Sequence, residues 1–315
     1  MSNKEIITAQ SKQEWLQKRI NDVTSTEVSA LFGLSPYLTE FELYHKKKDR
    51  IVSEIAPSER MKWGTRLESA IAKGAAEEFG WTVEPMGCYM RDADLRIGSS
   101  FDFKIVGQEP GICEIKNVSA DQFSKVWVDH GDGQLEAPPH IELQVQHQLL
   151  VSGMDWAAIC ALVGGNSLHV AIRKRDDQIG QKIIAAVGVF WARVEQGKAP
   201  SADYSRDSEF ILQQLANQAD AGEMMVASSR MEQLLKDYRV AQSTIAEAEA
   251  KRDAAKAEFL TLAGTSSKVI SEVGTVSCGA TKATPGKPIT QDMVGQLIGG
   301  RTGYRMFRFN AKKEK

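Results

Sequence analysis

The sequence predicts an α/β fold built on a mixed sheet. Three observations carry this reading. The periodic segments run in the order helix, three extended segments, helix, strand pair, helix. The early extended segments are separated by hairpin-length turns, which favour antiparallel pairing. A helix then stands between them and the later pair, the kind of connection a parallel neighbour requires. With 315 residues, 42% hydrophobic and 25% charged, the chain can bury a large core, and wholesale disorder and fibrous architecture are excluded.

Taken in order, Lys12–Ile20 reads as a helix, and a second is expected to start near Ser25 or Thr26 and end at Gly33, before the turn-forming Leu34-Ser35-Pro36-Tyr37. Residues 63–79 carry Leu67, Ile71 and Ala75 four apart on one helical face, with Gly80 as the C-terminal cap. Extended segments are expected over 81–90, 95–103 and 111–118, divided by Asp- and Gly-containing turns. Pro138-Pro139 opens a helix over Ile141–Ser152 with Ile141, Val145 and Leu149 as its apolar stripe. Residues 156–163 and 168–172 form a strand pair turning on Gly164-Gly165-Asn166, and a helix follows over 177–195.

Residues 1–197 are therefore expected to form the compact domain and 198–228 a linker. Over 229–263 a long helix is expected, because Leu234, Tyr238, Ala241, Ile245, Ala248, Arg252, Ala255, Phe259 and Leu262 recur at spacings of four and three. A coiled coil and a lone helix both fit that seam. Residues 264–315 form a small basic unit, in which nine Lys and Arg face three Asp and Glu, suited to DNA or protein contact or to solvation.

The whole chain has 39 Lys and Arg against 41 Asp and Glu, which excludes a globally basic coat; any polyanion must meet local patches. No run of 18 apolar residues occurs and the first fifteen residues contain no apolar signal core, so a cytoplasmic protein is expected. Cys88, Cys113, Cys160 and Cys278 are scattered without a CxxC pair, and reduced thiols are expected. The run His45-Lys46-Lys47-Lys48 reads as a solvated helix end or a DNA-tracking patch. His140 and His147 are not expected to bind metal, and Trp127 and Trp156 read as core or loop anchors.

The chemically informative stretch is Ser99-Ser100-Phe101-Asp102, then eleven residues, then Glu114-Ile115-Lys116. In a strand Glu114 and Lys116 share one face while Ile115 turns to the other. A turn between the strands can bring Asp102 beside Glu114. Two carboxylates and the Ile115 carbonyl would suit Mg²⁺, a hard cation that takes oxygen ligands and keeps several waters. The bare spacing alone favours a surface salt-bridge ladder over a metal site. Two features extend the pattern: Glu68 follows the apolar face residue Leu67 on its helix, and Gln144 and Gln148 share a face of theirs, with Gln146 opposite.

Taken together, Trp63-Gly-x-x-x-Glu68, Arg91-Asp92, Ser100-x-Asp102, Glu114-Ile-Lys116 and Gln144-Val-Gln146 resemble the motifs of the lambda exonuclease and YqaJ viral recombinase family of PD-(D/E)XK nucleases. Val23-Thr24-Ser25-Thr26-Glu27-Val28 and Leu31-Phe-Gly-Leu-Ser-Pro-Tyr37 resemble its N-terminal signature. The chain departs from the usual pattern at Thr26-Glu27, Phe101, Phe103 and around Ile141.

The resemblance implies a restriction-endonuclease-like core, a central mixed sheet flanked by helices, and a Mg²⁺-dependent 5′→3′ exonuclease acting on linear double-stranded DNA. Mn²⁺ would substitute for Mg²⁺. It implies that Asp102, Glu114 and the Ile115 carbonyl hold the metal, that Glu68 assists a second one, and that Lys116 and Gln144 serve the attacking water. Arg19, Thr26 and Ser100 would hold the 5′-phosphate, the guanidinium being suited to bidentate phosphate binding. A ring-shaped homo-oligomer, commonly a trimer, a single-strand annealing partner and a phage or prophage origin in a bacterial cell are further implications. A restriction-like endonuclease on the same fold, and a non-catalytic DNA-binding adaptor, are the alternatives.

Overall fold

The computed structural model describes residues 4–8, 11–51, 57–131, 134–215, 228–272 and 274–280. The chain divides into two units, Met1–Ile211 and Leu212–Lys315. In the first, strand β1 (Lys4–Ile7) precedes helix α1 (Lys12–Arg19), β2 (Val23–Thr24), a 3-10 turn (Val28–Phe32), α2 (Glu40–Lys48) and α3 (Glu59–Phe79). Strands β3 (Thr82–Pro85), β4 (Tyr89–Asp92), β5 (Ile97–Ser100), β6 (Phe103–Val106) and β7 (Gly111–Val118) follow. Then come α4 (Ala120–Val126), the short pair β8 (Val128–Asp129) and β9 (Leu135–Glu136), and α5 (Pro139–Ser152). Strands β10 (Trp156–Val163) and β11 (Ser167–Lys174), α6 (Asp177–Gln196) and α7 (Tyr204–Phe210) complete the unit. Among the described residues no helix is long and apolar enough to cross a membrane.

Two sheets form the α/β core. The first has the order β1-β4-β5-β2 and the second β11-β10-β7-β6-β3. The second is mixed: β7 runs parallel to β10, while the other neighbours are antiparallel. Helix α3 buries Ile71, Ala72 and Ala75 against one face of it, meeting Cys113 and Ile115 of β7 and Ala158 and Cys160 of β10. The alternate residues Ile112, Ala157, Ile159 and Ala161 join the larger core that also holds Val145 and Leu149 of α5 and Ile183, Val187 and Phe190 of α6.

Local chemistry sets the helix boundaries. Ser11 and Ser58 accept from the Glu14 and Met61 amides and cap α1 and α3, so α3 begins at Glu59, four residues before the apolar periodicity. Gly80, Gly153 and Gly197 close α3, α5 and α6 in the left-handed conformation.

Four expectations change. The segments 81–90 and 95–103 are each two strands: β3 and β6 pair in the second sheet, β4 and β5 in the first. The chain bends at Met86-Gly87-Cys88 and at Phe101-Asp102, where strands leave one sheet for the other. The helix expected from Ser25 or Thr26 is a 3-10 turn beginning at Val28, because residues 23–25 are extended against β5, with the Ser25 amide donating to the Gly98 carbonyl at 3.2 Å. The stretch read as linker contains α7, whose buried Asp207 accepts from the Thr39 hydroxyl and from the Asp203 amide at 2.7 Å, and whose Phe210 is buried. The basic run on α2 is solvated at Lys48 but not throughout: Lys47 is 6% exposed and donates to Glu27 and to the Arg19 carbonyl, and Lys46 pairs with Glu42.

The second unit contains α8 (Ser229–Ala263) and the hairpin β12 (Lys268–Ser271) and β13 (Gly274–Ser277). Much of the expected basic extension, including Lys282, Lys287, Arg301, Arg305 and Arg308, lies outside the described residues.

Candidate active site

Strand β7 is the centre of the site. Its alternation puts Cys113 and Ile115 against α3, so Glu114 and Lys116 emerge on the face toward α5. The β6–β7 register pairs Phe103 with Cys113; extended by one residue it sets Asp102 opposite Glu114. Asp102 lies at the bend between β5 and β6, where its carboxylate accepts the Ile115 amide at 2.8 Å.

Glu114 is 2% exposed and all but enclosed by donors. One oxygen accepts from Lys116 Nζ and from Gln144 Nε2, both at 2.6 Å; the other accepts from Gln148 Nε2 at 2.7 Å. Gln144 Oε1 in turn accepts from Lys116 Nζ at 3.1 Å, so glutamate, lysine and amide close a triangle. The i,i+4 spacing of the two glutamines delivers both to Glu114, and Gln146, on the opposite face, donates to the Lys174 carbonyl at 2.9 Å.

Eleven residues line a cavity of about 220 Å³: Arg19, Thr24, Ser25, Thr26, Glu68, Ser100, Asp102, Glu114, Ile115, Lys116 and Gln144. All nine residues singled out in the sequence are therefore brought together. Arg19 donates to Thr26 Oγ1 at 3.2 Å and Thr24 Oγ1 at 3.4 Å, and its guanidinium lies over the Trp15 ring at 4.1 Å. Trp15 Nε1 donates to Ser100 Oγ at 3.1 Å, tying α1 to β5.

The electrostatics follow from burial beside like charge. Burial first, and the Glu114 charge second, push the Asp102 carboxyl up to about 8, and the same two causes raise Glu68. Burial alone would lower the Lys116 ammonium; the charge of Glu114 and its hydrogen bond overcome this and hold it above the ordinary lysine value, so Lys116 is a cation at neutral pH. Behind the pocket, burial would raise Glu27, but Lys47, Arg19 and the Thr24 amide hold its carboxyl below the usual range.

Asp102, Glu114 and the Ile115 carbonyl are an all-oxygen donor set on one cavity wall, of the kind Mg²⁺ prefers. Among the described residues no three His, Cys, Asp or Glu side chains stand together as a metal centre, so Glu68 shares the cavity without closing on the carboxylate pair.

The other sequence candidates fall elsewhere. Arg91 chelates the fully buried Asp22, Nη2 to Oδ1 and Nε to Oδ2 at 2.8 and 2.9 Å, with Tyr89 donating to the same carboxylate at 2.9 Å; the Arg91-Asp92 motif is structural here. Trp127 is buried, and Trp156 donates to the Glu109 carbonyl at 3.1 Å. His147 is fully buried, and that burial pushes its imidazole down to about 4. Cys113 and Cys160, far apart in sequence, lie 3.6 Å apart at sulfur.

Thr24, Ser25, Trp15 and the role of Gln148 beside Glu114 were not anticipated. Two signals pointed to them: three successive hydroxyls in Thr24-Ser25-Thr26, and Trp15 one helical turn before Arg19.

Residues 14–155 match the model of the YqaJ-like viral recombinase domain, a span that contains every residue lining the cavity. The YqaJ protein of Bacillus subtilis (strain 168) is 29% identical over 241 residues, 75% of this chain and 73% of that one. Among solved structures, an alkaline exonuclease from Laribacter hongkongensis is 20% identical with a TM-score of 0.48, covering 64% of this chain and 100% of its own. A phage-related exonuclease from Haemophilus somnus 129PT is 12% identical with a TM-score of 0.42, covering 56% and 96%.

Proposed function

Residues 14–155 resemble the YqaJ-like viral recombinase domain, and from that premise we propose that the chain is a Mg²⁺-dependent 5′→3′ exonuclease acting on linear double-stranded DNA. It would release mononucleotides from one strand and leave a 3′ overhang for a single-strand annealing protein. The observation that carries the proposal is the shared cavity: a cationic, hydroxyl-lined end built from Arg19, Thr24, Thr26 and Ser100 is continuous with an acidic end built from Asp102, Glu114 and Glu68. An endonuclease has no need of a terminal-phosphate pocket in the same cavity as its carboxylates.

Asp102, Glu114 and the Ile115 carbonyl would hold Mg²⁺, with Glu68 available to a second ion; Mn²⁺ suits the same oxygens. When bound, the cation supplies Lewis-acid polarisation of the phosphate and lowers the pKa of water. The chain's own groups do the rest. Among the described residues no carboxylate forms an ion pair with Arg19, which donates to the Thr24 and Thr26 hydroxyls, so its charge is available to a terminal phosphate. Lys116, held protonated, is a donor rather than a base, and offers positive charge where phosphate oxygens become more negative. Gln144 spends its amide N–H on Glu114 and takes a Lys116 N–H on its oxygen, which fixes the ammonium and leaves one lone pair of that oxygen to orient water. Gln148 and Gln144 together keep Glu114 in one orientation.

Lys116→Ala should lower strand degradation on 5′-phosphorylated linear duplex by roughly 10²-fold or more, the scale of losing one charged donor to a transition state. The wild-type chain should leave a covalently closed circle intact. Unchanged degradation by Lys116→Ala, or cutting of the circle, contradicts the proposal.

A further inference from the structure

A second cavity, of about 830 Å³, adjoins the first and shares Thr26, Lys116 and Gln144 with it. Its walls are largely apolar and ring-bearing: Tyr37 and His140 stand edge to face with centroids 5.8 Å apart, flanked by Leu34, Trp127 and the Pro138-Pro139 pair. Tyr37 is 79% exposed, an unusual position for an aromatic ring on a segment held by the Ser35 hydroxyl, which accepts from the Tyr37 and Leu38 amides.

The shared residues sit at the two functional ends of the smaller cavity. Thr26 belongs to the hydroxyl cluster around Arg19, and Lys116 and Gln144 to the carboxylate end. A nucleotide whose 5′-phosphate lies at the first and whose 3′-phosphate lies at the second must place its sugar between them. Of the two apolar cavities that border this one, the groove shares residues with both ends, Thr26 at one and Lys116 with Gln144 at the other. The pocket of Trp15, Tyr89 and Phe101 shares Ser100 alone, so the groove is the one placed to take the base.

We propose that the Tyr37–His140 groove is the subsite for the base of the 5′-terminal nucleotide, which stacks on this ring pair while its phosphates occupy the smaller cavity. The subsite rests on the exonuclease reading for its occupant, and on the geometry of the two cavities for its place. Stacking on aromatic faces is indifferent to base identity, as digestion of arbitrary sequence requires. Asn117 and Gln122 on the groove wall offer polar groups to a base edge without selecting one.

The test compares two ligands that differ only in the base, deoxyadenosine 5′-monophosphate and 2-deoxyribose 5-phosphate, titrated calorimetrically into the full chain in Mg²⁺. Wild type should bind the nucleotide roughly tenfold more tightly than the sugar phosphate, the scale of one base stacked on a ring. Tyr37→Ala combined with His140→Ala should bring that ratio to about twofold or less while sugar-phosphate affinity stays constant, and Tyr37→Phe should keep it, since stacking needs the ring and not the hydroxyl. Arg19→Ala should weaken both ligands alike. Equal binding of the two ligands by wild type, or a ratio unchanged in the double variant, overturns the subsite and leaves the exonuclease reading standing if linear duplex is still degraded. Failure of both ligands to bind overturns the subsite and the phosphate pocket together, and absence of strand degradation overturns the exonuclease reading.

Discussion

Glu114 concentrates the site's chemistry: a carboxylate 2% exposed is tolerable only because an ammonium and two amides donate to it. Asp102, beside it, accepts from the Ile115 backbone amide and bears the cost of burial in its titration. Its carboxyl is pushed from an ordinary 3.8 to about 8 by burial and by Glu114, so between these values the folded chain holds a proton that the unfolded chain has released. Without divalent cation, stability should therefore fall as pH rises from about 4 to about 8. Mg²⁺, binding the ionised form, should raise the melting temperature more at pH 8 than at pH 5. Thermal melts in EDTA and in Mg²⁺ at the two pH values check this; a cation effect equal at both, or larger at pH 5, contradicts it. At this scale the sequence was highly legible. Glu114, Lys116 and Gln144 could be placed because strand alternation and helical spacing fix which side chains share a face. Lys47 could not, because its partner Glu27 lies on a separate turn and only the fold brings the two together.

At the scale of elements, the long hairpin from β3 to β6 changes sheets halfway, and that change presents Asp102 to Glu114. The sequence hid it: only three residues separate β3 from β4 and two separate β5 from β6, too few to read as a break in a strand. It also hid α2, whose Glu-Phe-Glu-Leu-Tyr-His-Lys-Lys-Lys composition lacks a clear apolar stripe, although Leu43 and Tyr44 are fully buried. By contrast α5 was plain, with Pro at its first turn and Gly153 at its end. The first sheet has its own tight spot at Gly98 of β5, where a Cβ would collide with the Tyr89 phenol ring. Gly98→Ala must push aside the Tyr89 ring that donates to buried Asp22, beside the strand that carries Thr24. The expected loss of stability is about 2–4 kcal/mol, combining overpacking with a lost buried hydrogen bond, and urea unfolding measures it. A loss below about 0.5 kcal/mol, the size of a bland surface change, would show that the ring has room to move.

For the whole molecule, the Met1–Ile211 unit contains every residue of the candidate site, and the family match lies within it. The α/β class and mixed sheet were readable from element order. Where the compact unit ends was not, because the short helix Tyr204–Phe210 is mostly polar and reveals itself only through burial of Asp207 and Phe210. The near-neutral overall charge is consistent with a site that meets a polyanion through a few enclosed cations, Arg19 and Lys116, rather than through a basic coat. The central claim is that a terminal-phosphate pocket and a cation-binding carboxylate pair act on one nucleotide. The most direct measurement is release of label from end-labelled linear duplex, with and without a 5′-phosphate, in Mg²⁺ and in EDTA. Mononucleotides should appear from the phosphorylated end in Mg²⁺ alone; release in EDTA, or equal release from ends lacking the phosphate, would contradict it.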